Sequence, residues 1–158
     1  MTFAKPDSQS LEDSFSLVTE VPVPPGIDEH DLKSLANAVL QQEAAPGEWE
    51  ITVALVADDR LQALHRDFMG IDTPTDIMTF PGAESGEELQ SGEIVISVDH
   101  AMTRAGSWGL SPADEIRFLV IHGLLHLLGW RDETEHDRAR MLTRQQVLLD
   151  EWRGRNTT

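Results

Sequence analysis

Eleven consecutive residues, Phe118-Leu-Val-Ile-His122-Gly-Leu-Leu-His126-Leu-Leu128, hold only apolar side chains apart from two histidines and a glycine. A helix apolar on every side has to lie in the middle of its domain, so this segment dictates where everything else packs. The spacing predicts a helix over 111–128, with Ser111 as its cap, Pro112 in its first turn and Gly129 at its exit. An imidazole buried there costs about 1–3 kcal/mol for each polar atom left without a partner. Four residues separate His122 from His126, which stacks both rings on one face, where they can share a single cation.

The chain has no cysteine, which excludes disulfides, thiolate-bound zinc and thiol catalysis. His, Asp and Glu are then the available metal ligands. Beyond Gly129 the chain can turn back toward the two histidines, and two residues compete for third ligand. Asp132 stands six residues after His126 and His136 ten. Histidine is the commoner zinc ligand, but Thr134 is placed to cap a last helix, which would turn His136 to solvent. Two ligands fixed on a rigid helix leave little freedom for the third, so geometry favours Asp132. Three protein ligands leave a fourth position for water, the arrangement of a catalytic rather than a structural zinc site, with one zinc per chain. Gly123 follows the first histidine, where many zinc peptidases carry a glutamate base. The expected chemistry is therefore metal-assisted hydrolysis by another scheme, and the sequence names no general base.

Around this helix, hydrophobic periodicity marks out one α+β domain, a mixed sheet of about four strands covered by helices. Strands are expected over 14–23, 49–57, 76–80 and 93–98, and an acidic loop after Pro81-Gly82. Asp28 caps a first helix with Leu32, Leu35, Ala36, Val39 and Leu40 inward. Asp58 opens a second, with Leu61, Leu64 and Phe68 inward, ending near Gly70. Further helices are expected over 98–105 and 134–152. Residues 1–12 read as a loose tail, 13–153 as the domain and 154–158 as a C-terminal tail. No apolar run reaches the roughly 18 residues of a membrane span, and no secretory signal is legible, so a cytoplasmic address is the default expectation. Residues 1–100 carry twenty acidic and four basic side chains, whereas residues 101–158 carry eight of each. A polyanion would therefore have to approach the arginine-bearing C-terminal part, through residues such as Arg104, Arg131 or Arg138.

Three segments together resemble a known family. His122-Gly-Leu-Leu-His126-Leu-Leu-Gly129-Trp-Arg-Asp132, followed by Met141, is similar to the His-Gly-x-Leu-His-Leu-x-Gly-Tyr-Asp-His pattern of the YbeY endoribonucleases, the bacterial rRNA maturation factors. Thr75-Asp76-Ile77-Met78-Thr79-Phe80-Pro81 resembles that family's Thr-Asp-Val-Leu-Ser-Phe-Pro. Gly92-Glu93-Ile94-Val95-Ile96-Ser97 resembles its Gly-Asp-Ile-x-Ile-Ser. The resemblance implies a zinc-dependent endoribonuclease that cuts single-stranded RNA and matures the 3′ end of small-subunit ribosomal RNA, with RNA and the small ribosomal subunit as partners.

Two departures from the family pattern matter. Asp132 stands where the family has its third histidine. A carboxylate is a competent ligand, though its charge should make the bound water a slightly weaker acid. Met69 stands where the family has an arginine near the end of the second helix, and Arg66, one turn earlier, is the candidate to replace it as the catalytic phosphate contact. Two other readings remain: a zinc metalloprotease, which Gly123 disfavours, and a ribosome-associated factor weakened by the missing arginine.

Overall fold

In the computed structural model, which describes residues 14–82 and 89–156, the buried residues of two strands face alternately in opposite directions. Strand β2 (Glu48–Val56) sends Ile51, Val53 and Leu55 to one side of the sheet and Ala54 and Val56 to the other. Strand β4 (Leu89–Ser97) does the same with Ile94 and Ile96 against Val95. A sheet apolar on both faces must be covered on both. The larger face carries helices α1 (Glu29–Gln42), α4 (Pro112–Leu127) and α5 (Glu135–Asn156), with the start of α3 (Val98–Trp108) in the same cluster. The smaller face is closed by Leu61 and Leu64 of α2 (Asp58–Met69).

The four-stranded sheet has the order β1-β2-β4-β3, with β1 (Ser14–Thr19) and β4 parallel to β2, and β3 (Ile77–Pro81) antiparallel to β4. This is the expected α+β domain with a mixed sheet. Helix α4 lies at its centre with Ile116, Val120, Ile121, Leu124 and Leu125 fully buried, as its all-round apolar sequence requires. Ser111 accepts from the Asp114 N–H at its start.

Several boundaries differ from expectation. Strand β1 stops at Thr19 rather than Val23, because Thr19 already lies opposite Leu55 and its partner β2 ends one residue later at Val56. Strand β4 begins four residues early and pairs along the whole of β2, so Gly92 lies within the strand. Helix α3 continues past Ala105 to Trp108 and is ended by Gly109 in the left-handed conformation. Helix α5 runs on to Asn156, into the stretch expected as a tail. Phe68 does not point inward. It is 50% exposed and meets Phe80 edge-on, since Phe80 belongs to the edge strand β3. The expected N-terminal tail, residues 1–12, and most of the expected acidic loop lie outside the described residues. Among the described residues no helix is long and apolar enough to cross a membrane.

Candidate metal centre

The centre is assembled from α4 and the turn after it. His122 and His126 stack with ring centroids 4.5 Å apart. Helix α4 then ends in a full Schellman turn: the Gly129 N–H donates to His126 O, the Trp130 N–H donates to Leu125 O, and Gly129 takes a φ of 100°. A side chain at that position would be strained, so the glycine is what turns the chain back. Asp132 arrives with its Oδ2 3.2 Å from His126 Nε2 and 3.5 Å from His122 Nε2, and the two Nε2 atoms are 3.0 Å apart. His122, His126 and Asp132 thus form a three-membered cluster at a partly exposed rim.

Hydrogen bonds on the far side of each ring fix which nitrogen faces inward. Gln145 of α5 donates through its amide nitrogen to Phe118 O, which aims its carbonyl oxygen at His122 Nδ1, 3.0 Å away. That oxygen can only accept, so Nδ1 carries the proton and Nε2 presents a lone pair. His126 Nδ1 donates in the same way to Trp130 O at 3.1 Å. Trp130 is pinned in turn by its indole N–H, 2.9 Å from Glu43 Oε1 at the end of α1. Burial pushes the His122 pKa down, against the pull of Gln145, and His126 adds to the lowering.

Two lone pairs and a carboxylate therefore converge with no proton between them, an arrangement that repels itself unless a cation lies at its focus. A tetrahedral zinc with ligands at about 2.0–2.2 Å needs donors roughly 3.3–3.6 Å apart. The three separations lie close to that, with the His–His edge somewhat short. The donor set fits a zinc-sized metal, and its outer hydrogen bonds are of the kind that orient metal-bound histidines.

His136 is exposed on the first turn of α5 and lies outside this cluster. Arg66 is about half exposed and pairs with its neighbour Asp67 at 3.2 Å; among the described residues no hydrogen bond or ion pair links it to the cluster. Met69, at the position of the family arginine, is 61% exposed.

Beside His122 opens a pocket of about 100 Å³ between α3, α4 and α5. Arg104 lies on it, ion-paired to Asp76. Glu115 also lines it, 1% exposed, with an Oε2 that has no hydrogen-bond partner among the described residues. Burial holds the Glu115 carboxyl above the usual carboxylate range, Arg104 working against this and Asp76 with it. Sequence reasoning misses Glu115 and Gln145. Glu115 stands seven residues before His122, two turns along the same helical face, and an acid on the buried stripe of a core helix is a signal that could have found it. Gln145 leaves no such trace, because only the packing of α5 on α4 brings it to His122.

Residues 23–153 match the model of the family described as Endoribonuclease YbeY. The chain belongs to that family. A member from Moorella thermoacetica is 38% identical, the match spanning 75% of this chain and 85% of that one. One from Chloroflexus aurantiacus is 35% identical over 82% and 92% of the two chains. Both are named Endoribonuclease YbeY. A solution structure of a Thermotoga maritima protein superposes with a TM-score of 0.62 at 26% identity, covering 89% of this chain and 90% of that one.

Proposed function

We propose that this protein is a zinc-dependent endoribonuclease acting on single-stranded RNA, with the 3′ end of small-subunit ribosomal RNA as its substrate. Family membership supports the nuclease activity and the RNA substrate. The observation that carries the metal reading is the convergence of two histidine lone pairs, each fixed by a protonated Nδ1, on the Asp132 carboxylate. His122, His126 and Asp132 would hold a zinc ion, which would supply Lewis acidity toward a phosphoryl oxygen and acidify a water.

The chain's own residues do the rest. Gln145 and the Trp130 carbonyl keep both rings in the ligating tautomer. Gly123 leaves no side chain after His122 to act as a peptidase base. For the phosphate contact we assign Arg104 ahead of Arg66, because Arg104 lines the pocket that includes His122, whereas among the described residues no hydrogen bond or ion pair links Arg66 to the cluster. The test combines elemental analysis with cleavage assays on single-stranded RNA, duplex RNA and casein, each with and without a chelator. One zinc per chain is expected, with cleavage of the single strand alone, abolished by the chelator and restored by zinc. Chelator-resistant RNA cleavage, or casein cleavage, would overturn the reading.

A further inference from the structure

The pocket next to His122 is lined by more than Arg104. Its walls include Phe118, Leu119 and Leu142, and Glu115 lines it as well, with one carboxylate oxygen buried and without a hydrogen-bond partner among the described residues. A polar atom buried without a partner is costly, and such atoms are commonly completed by a ligand or an ordered water. The room, about 100 Å³, is small and suits one flat six-membered ring rather than a whole nucleotide. Single-stranded RNA is read by splaying out a base, bringing it against aromatic and apolar side chains, and hydrogen-bonding its edge. Carboxylates read cytosine by accepting from its exocyclic N4 amine. Uracil offers a carbonyl oxygen there, which would face the Glu115 oxygen acceptor to acceptor.

We propose that this pocket takes a cytosine of the RNA next to the scissile phosphate, with Glu115 Oε2 accepting from the N4 amine and Phe118 and Leu142 flanking the ring. The proposal rests on the RNA-cleaving function above. It adds a sequence preference that the metal centre alone would not confer, and it gives the buried acid a purpose. Arg104, at the same pocket, is positioned for the phosphate joining that base to the next.

Fluorescence anisotropy with labelled single-stranded oligocytidine and oligouridine, in chelator so that nothing is cut, tests base choice apart from catalysis. The expected result is a preference for oligocytidine of about tenfold. In Glu115→Gln the amide can both donate and accept, so the preference should fall toward unity. A second variant guards against a folding defect: Leu142 is 41% exposed, and Leu142→Trp fills the pocket from its solvent side. It should abolish the preference while the metal content of the zinc-loaded protein stays at that of the parent. Equal affinities in the parent, with chelator-sensitive RNA cleavage intact, would overturn the base pocket alone and leave Glu115 to an ordered water. A preference for oligouridine, or one unchanged in both variants, would overturn it equally. Absence of any RNA binding or cleavage would defeat the nuclease reading first and the pocket with it.

Discussion

Asp132 and His136 separate chemistry by residue type from chemistry by position. Asp132 touches both histidines, whereas His136 is exposed and outside the cluster. Asp132→Ala should therefore lose most zinc and most cleavage, while His136→Ala keeps both, as zinc stoichiometry in the two purified variants will show. Metal kept in the first and lost in the second would exchange their roles. The arginines pose a similar choice. Arg104→Gln should lower RNA cleavage about tenfold or more, the loss of one charge-assisted phosphate contact, with zinc content unchanged. Arg66→Ala should change it less than about threefold on the same scale. The opposite order in a steady-state assay would return the contact to Arg66, the residue that sequence spacing favours.

At the level of elements, the central fact is how closely α4 seats on β4. A Cβ added at Gly123 would lie 2.8 Å from Ile94 Cγ2, and Ile94 is fully buried on a stiff, β-branched side chain. The glycine at the place of the peptidase glutamate thus has a packing reason, since a side chain there needs Ile94 or the helix to shift. Gly123→Ala should cost about 1–3 kcal/mol of overpacking, offset in part by about 1 kcal/mol of helix propensity. Gly92→Ala meets Leu127 Cδ1 at 2.6 Å, but Leu127 is only partly buried and its terminal methyls can rotate away. Thermal unfolding should therefore show the larger drop for Gly123→Ala, and equal drops would argue against Ile94 as the rigid partner. The same contrast explains what was legible beforehand. Helix α4, its cap, its glycine exit and the Asp132 return all follow from local spacing. The alternation in β2 and the paired histidines are equally local. The early start of β4 and the short β1 depend on partners far along the chain, so periodicity misplaced them. Phe68 has the right spacing for burial yet lies at the sheet margin, which a helical pattern cannot reveal. Glu115 and Gln145 matter only through what three helices enclose between them.

Over the whole molecule, the net charge of −16 resides in residues 1–100, and the C-terminal part that builds the metal centre is neutral. RNA must then be drawn by local arginines against a repelling background. Arg131, exposed beside Glu133, and Arg138, which reaches the Asp132 carbonyl oxygen at 3.3 Å, flank the centre. Affinity for single-stranded RNA should fall as salt rises. Arg131→Ala and Arg138→Ala should each flatten the log–log slope by roughly 0.7, one phosphate contact on a single strand. Salt-independent binding in a titration would refute this. The reach of α5 back to His122 has a further consequence, in the order in which the molecule is made. The ligands His122, His126 and Asp132 are synthesised before Gln145, and it is Gln145 that turns the first of them to face the focus. Domains generally fold as units, so the centre is completed only once α5 is there to pack on α4 and bring Gln145 to His122.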